Sequence, residues 1–256
     1  MLDLSPEIDY NQWLTELEES NPKYQDLFLG ERSMPPIFFF GDPEEAKVAT
    51  VGVNPSAKEF SLRRRWYGYI EINRLIERCK NYFKNPLGVP PHPWFTPWKN
   101  FLNEIGFSYT QHPRAVHLDL SPRATRSMSS IQKKSKQLEA LFRDLIKNDL
   151  GYFISQLKAY PEIKHLYAAG SITRKYYLIE FLQEYDSLYG YSLRPIQNFE
   201  RGGQGKIGLY MLDLGDNNLR YLFFCSTSPS ARRGSSILPE KAPWLKKHYP
   251  EFIPQK

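Results

Sequence analysis

The stretch Lys47–Phe60, KVATVGVNPSAKEF, begins as a strand and breaks off within a few residues. Four of the six residues from Val48 to Val53 are apolar, which suits a strand covered on both faces, as in a parallel sheet. Gly52 and Pro55 then interrupt the pattern, leaving a polar turn at Asn54-Pro55-Ser56. In an open α/β sheet, ligands bind beyond the carboxyl ends of the strands. A core strand that ends on an amide, a ring and a hydroxyl is therefore a candidate edge of a site.

Three further segments read as strands: RAVHLDL (Arg114–Leu120), KHLYAAG (Lys164–Gly170) and RYLFFCS (Arg220–Ser226). Helical patterns separate them. FTPWKNFLNEIG spaces Trp98, Phe101, Leu102 and Ile105 by three and four residues and stops at Gly106. SSIQKKSKQLEALFRDLIKNDL repeats Leu138, Leu141, Phe142, Leu145 and Ile146 on one face. SITRKYYLIEFLQEY starts after Gly170, with Ser171 as its N-cap. This alternation predicts an α/β fold: a three-layer α/β/α sandwich around a central, mostly parallel four-stranded sheet. KIGLYMLDLG (Lys206–Gly215) is expected to form a hairpin with RYLFFCS through Asp216-Asn217-Asn218. PPIFFFGDP reads as an edge strand or a packed loop. The whole chain, residues 1–256, reads as one domain with a basic helical insertion at about 61–87 and a packed C-terminal arm at about 238–256.

Composition narrows the function classes. The chain is 41% hydrophobic and 24% charged, as for an ordinary folded protein. No apolar run approaches the roughly 20 residues that a bilayer span requires. The acidic, polar start MLDLSPEIDYNQW is unlike a secretion signal, so the expected location is cytoplasmic, without membrane association. Cys79 and Cys225 are too few for a disulfide framework or an iron–sulfur cluster, and the histidines lack paired metal-ligand spacing, so no metal or other cofactor is expected. Net charge is +6, with basic residues grouped at Arg63–Arg65, Arg123, Arg126, Lys133, Lys134, Lys136, Arg232 and Arg233. Such a balance suits a polyanionic partner, because phosphate contacts release condensed counterions.

All four expected strands run into polar turns: GVNPSAKEF, DLSPRATR, GSITRK and STSPSARRGSS. A parallel sheet would set these ends side by side. Asn54, Ser56, Asp119, Ser121, Ser171, Thr173, Ser226, Thr227, Ser228 and Ser230 would then share one rim, stiffened by Pro55, Pro122 and Pro229 and ringed by arginines. The rim suits a flat, polar, phosphorylated ligand.

VGVNPS after the first strand and STSPSARRG after the last resemble the two motifs of the uracil-DNA glycosylase superfamily. The first is similar to the Gly-x-Asn-Pro-Gly form of the mismatch-specific and single-strand-selective branches. The second is similar to forms such as His-Pro-Ser-Pro and Asn-Pro-Ser-Gly. GVPPHPWFTPWKNFLNEIGF (Gly88–Phe107) also resembles the segment after the first motif in the mismatch-specific branch. The resemblance runs from about Ala46 to Gly234, interrupted by the insertion.

The resemblance implies a DNA glycosylase, which flips a deaminated or modified base out of single- or double-stranded DNA and hydrolyses its N-glycosidic bond. It implies that Asn54 holds the attacking water and that Gly52, Val53 and Pro55 shape the turn against the base. Ser226 stands at the head of the second motif, where a histidine supports the leaving base in the efficient branches. Ser228, Pro229 and Ser230 would grip phosphates, with Arg123 on the rim and Arg232 and Arg233 in or beside the groove. Ser56 would donate to a phosphate or cap the following helix. Asp119 stands where an asparagine often reads uracil; a carboxylate accepts only, so it suits a base with a donor on that edge. Phe60, Trp66, Trp94 and Phe95 compete as the ring that stacks on the base. Glu59 reads as a solvated helix carboxylate, and His92 and His117 as structural histidines. The alternative is a module that binds a nucleotide or modified base without cleaving it, within a repair or defence system.

Overall fold

The structure, a computed structural model, describes residues 8–28, 35–57, 71–84, 88–126, 130–131, 135–170, 177–201, 206–226 and 237–254. Near the amino terminus, α1 (Tyr10–Ser20) starts at Asp9, whose carboxylate accepts from the Asn11 and Gln12 N–H groups, and runs into a 3-10 turn at Asn21–Leu27. Of the expected basic insertion, α2 (Ile72–Lys80) is described.

Six strands form one sheet: β1 (Ala46–Gly52), β2 (Arg114–Asp119), β3 (His165–Ala169), β4 (Ser192–Arg201), β5 (Lys206–Asp213) and β6 (Leu219–Cys225). Their order is β2-β1-β3-β6-β5-β4. β2, β1, β3 and β6 are parallel neighbours and correspond to the four strands read from the sequence. The expected four-stranded sheet is corrected to six strands, because β5 and β4 extend it antiparallel beyond β6. The hairpin from β5 to β6 turns through Asp216 and Asn217, at φ 52° and 62°, a geometry that short polar side chains tolerate. Charged and polar residues in β4 conceal it from an apolar-run search, and its Pro195 is tolerated because β4 lies at the sheet edge.

β2 and β3 flank β1 on opposite sides, so the winding of the chain reverses here. Such a switch point is where the loops leaving the carboxyl ends of strands diverge and make room for a ligand.

Register and alternation sort the faces. Thr50 and Gly52 of β1 lie beside His117 and Asp119 of β2, and Thr50 lies beside Tyr167 of β3, itself beside Phe223 of β6. α3 (Phe95–Ile105) covers this face: Phe101 packs on Tyr167 and Phe223, and Phe95 packs on His117. Gly106 ends α3 in the left-handed conformation, φ 86°. α4 (Lys136–Ala159), capped by the Ser135 hydroxyl, meets the opposite alternation, where Arg220 donates to the Leu157 carbonyl at 2.7 Å. α5 (Tyr177–Glu184) adds Phe181 against Phe142 of α4.

Two peripheral segments gain definition. PPIFFFGDP is a packed loop whose Ile37–Phe40 are buried; its Phe40 pairs once with His117 and covers the free edge of β2. The expected C-terminal arm contains α6 (Ile237–His248), packed on α3 with Pro243 inside it, and then a 3-10 turn at Pro250–Phe252. Among the described residues no helix is long and apolar enough to cross a membrane.

Candidate functional site at the carboxyl ends of the parallel strands

The loops after β1 and β2 are laced together. Leu120 N–H donates to Gly52 O at 3.1 Å and Ser121 N–H to Val53 O at 3.0 Å. Farther out, Thr125 N–H donates to Pro55 O at 3.3 Å and Ala57 N–H to Thr125 O at 3.0 Å. The parallel pairing thus continues past both strands, and Ser56 takes its place in it by bridging Thr125.

Asn54 sits inside this ladder. Its Nδ2 donates to Thr125 Oγ1 at 2.8 Å, Pro55 O at 3.0 Å and Arg123 O at 3.3 Å. Carbonyl oxygens can only accept, so they fix which end of the amide is nitrogen. Asn54 Oδ1 is then the end left over, and it takes part in no hydrogen bond among the described residues.

Gly52 and Asp119 are neighbours across β1 and β2. A Cβ on Gly52 would lie 2.2 Å from Asp119 Oδ1 and 3.1 Å from His117 Nε2. The absent side chain is the space in which those two polar atoms meet, 3.3 Å apart. Asp119 and His117 side chains are only 3% and 4% exposed, so both groups are held almost out of water. Gly52→Ala is therefore expected to cost about 1–3 kcal/mol through overpacking, read by urea unfolding. A variant as stable as the parent would mean that the carboxylate can withdraw freely.

His117 is the residue the sequence reading set aside as structural. Its Nδ1 lies 2.9 Å from Thr50 Oγ1, which in turn lies 2.6 Å from the Tyr109 hydroxyl. Phe40, Trp94 and Phe95 pack around its ring. The signal was present in the sequence: His117 and Asp119 are two apart on one strand, hence on one face.

Arg123 corrects an expectation. Instead of standing on the rim it is 4% exposed and grips Asp149 of α4 by two bonds, Nε to Oδ2 at 2.9 Å and Nη2 to Oδ1 at 2.5 Å. Ser121 donates to the same carboxylate at 2.6 Å. Arg123 Nη1 donates to Ser20 Oγ and Asn21 Oδ1, and the guanidinium lies over the Tyr24 ring. A cation so enclosed is not available to a phosphate. Arg126 also turns toward the amino-terminal segment, where its Nε donates to Asp26 O at 3.3 Å.

Ser226 follows β6 and is 5% exposed, separated from the β1 loop by β3 alone in the strand order. Of the stacking candidates, Trp94 is half-buried and Phe95 belongs to the core. Phe60, Trp66, Ser228, Pro229, Ser230, Arg232 and Arg233, with Glu59, Ser171, Thr173 and Thr227, lie outside the described residues.

Two described clefts do not coincide with this rim. One of about 620 Å³ is lined by Lys23, Arg126 and Asp144, and one of about 630 Å³ by Lys47, His112, Glu162 and His165. Neither includes Gly52, Asn54, Asp119 or Ser226. The rim is identified by its polar groups and its switch-point position. Among the described residues no cluster of three or more His, Cys, Asp or Glu side chains could hold a metal ion. No protein-family model, no curated protein and no solved structure matches the chain.

Proposed function

We propose that the chain is a three-layer α/β/α DNA glycosylase-like protein that flips a deaminated or modified base from DNA and hydrolyses its N-glycosidic bond. One observation supports this reading above the others. Three acceptors orient the Asn54 amide, and its Oδ1 stays open at the sheet's switch point, in the loop paired with Asp119's strand.

In this scheme a water donates one O–H to Asn54 Oδ1 and attacks C1′ of the flipped nucleotide. The new C–O bond forms as the C1′–N bond breaks, and the bonding pair leaves on the base nitrogen. The proton lost by the water passes to the departing base or to solvent, because an amide is too weak a base to keep it. The rate then rests on positioning and fixed dipoles. Asp119 reads a donor on the base edge, Trp94, the more exposed of the two described stacking candidates, stacks on the base, and Ser226 supports the leaving base through its hydroxyl. Ser228, Pro229, Ser230, Arg232 and Arg233 hold phosphates.

The second reading, binding without cleavage, draws on the same amide. Asn54 Nδ2 serves the loop's own carbonyls and Thr125, as it would in a purely structural turn. Incubation with oligonucleotides carrying uracil, hypoxanthine, xanthine or 5-substituted pyrimidines separates the two. Alkali-labile sites at the modified base are the expected result. Retention without cleavage would favour the binding module, and neither would overturn both readings.

A further inference from the structure

We infer that His117 is a specificity-determining residue. Its Nε2–H and the Asp119 carboxylate together form a donor–acceptor pair that reads the edge of a heterocyclic base. The inference rests on the reading of this rim as a base pocket and adds a second residue to its recognition.

The direction of the buried polar chain follows from which groups lack alternatives. The Tyr109 hydroxyl is buried and has Thr50 Oγ1 as its hydrogen-bond partner, with no other among the described residues. Burial raises the Tyr109 pKa above its ordinary value, against the opposing Thr50 hydrogen bond, so the phenol keeps its proton. Among the described residues that proton has Thr50 Oγ1 alone to go to. The Thr50 hydroxyl then has its own proton for His117 Nδ1, 2.9 Å away. Nδ1 is thereby the acceptor, and the ring proton sits on Nε2.

The reverse polarity would leave the Tyr109 proton with no acceptor among the described residues. His117 Nε2 lies 3.3 Å from Asp119 Oδ1 without a hydrogen bond between them, so its N–H is not spent on that carboxylate. The chain Tyr109, Thr50, His117 thus delivers an N–H to the space above Gly52, beside a carboxylate. Among the described residues the Asp119 side chain makes no hydrogen bond; it lies 3.3 Å from His117 Nε2 and is 3% exposed. A carboxylate so enclosed, with acceptor capacity unused among the described residues, suits a donor from a ligand.

Asp119 alone would select only for a donor. With His117 the site offers a donor and an acceptor side by side, as a single carboxamide does. The complementary ligand edge carries an acceptor next to a donor: ring N3 with the exocyclic amine of a cytosine-type base, or O4 with N3–H of a uracil-type base. The aromatic rings around His117 hold the imidazole in place, so its phenylalanine variant keeps the packing and loses only the polar atoms.

The test uses the full chain and single-stranded oligonucleotides of abasic spacers carrying one central base, with affinity read by fluorescence anisotropy. Cytosine is paired with 3-deazacytosine and uracil with 4-thiouracil, so that each pair removes or weakens the acceptor. The parent protein is expected to favour the natural base of at least one pair by about tenfold or more, and His117→Phe to bind both members of that pair alike. Imidazole 15N spectra of the parent should show a pyridine-type Nδ1 and a pyrrole-type Nε2 on His117. A preference that survives His117→Phe, no preference in either pair, or a proton on Nδ1 overturns the role of His117 while base binding stands. Affinity no greater than for an all-abasic strand overturns the base pocket and this inference with it.

Discussion

Replacing Asp149 with alanine is expected to destabilise the folded chain by about 3–5 kcal/mol, the largest stability effect anticipated for a single side chain here. Asp149 is fully buried and receives two bonds from Arg123 and one from Ser121. Its removal leaves a guanidinium enclosed by Tyr24, Ser20 and Asn21 with no counter-charge. Domains are typically stable by only about 5–15 kcal/mol, so the variant should lose much of its margin. Urea unfolding of the parent and Asp149→Ala measures it, and the double variant Arg123→Met, Asp149→Leu controls it. If the single change strands a buried charge, the double change should recover most of the loss, because an apolar pair fills the same space without desolvating ions. A single variant within about 1 kcal/mol of the parent would show the pair to be solvated and Arg123 free for the rim after all.

The Arg123–Asp149 pair also marks the limit of what the sequence discloses. Arg123 and Arg126 were read as rim cations because they follow a strand end in a Ser-Pro turn. Nothing local in DLSPRATR shows that a carboxylate from α4 and two groups from the amino-terminal segment converge on one of them. Burial of a charge is a tertiary property. The parallel strands were legible for the opposite reason: a strand covered on both faces must be mostly apolar, and β1, β2, β3 and β6 carry buried apolar runs interrupted by only a few polar residues such as Thr50, His117, Asp119 and Arg220. β4 was missed because an edge strand need not be. At the site, Asn54 and Asp119 were legible from strand ends and turn chemistry. His117 was legible only as a neighbour of Asp119 on the same strand face; its orientation comes from Thr50 and Tyr109, which reach it from another strand and from a loop.

The same geometry explains why Gly52, Asn54 and Asp119 form a unit. Backbone bonds extend β1 and β2 through Ser121 and on to Thr125, so a shift in either loop moves both polar side chains. Arg123 anchors that ladder from below: its guanidinium is fixed on α4 while its carbonyl accepts from Asn54 Nδ2. The buried ion pair and the amide at the rim are therefore parts of one construction, and stability and function can be separated only by choosing variants that act on one end of it.

Asn54→Ala is that variant, and its expected effect is the largest on activity. If Asn54 Oδ1 orients the attacking water, the loss falls on the transition state and base release per folded molecule should drop by about 100- to 1,000-fold. Binding of the same oligonucleotide should change little if, as proposed, the phosphates are held by Ser228, Ser230, Arg232 and Arg233 rather than by Asn54. The change also removes Nδ2 from Thr125, Pro55 and Arg123, and a modest fall in stability of about 1–2 kcal/mol should accompany it. Thr125→Val serves as the comparison: it withdraws one acceptor from Nδ2 and loosens the loop, yet leaves Oδ1 in place. Single-turnover base release, corrected for folded protein by urea titration, should then fall steeply in Asn54→Ala and only slightly in Thr125→Val. Equal losses in the two variants, or a loss in Asn54→Ala that merely tracks its unfolded fraction, would reduce Asn54 to a turn-capping residue and leave the rim as a binding surface without hydrolysis.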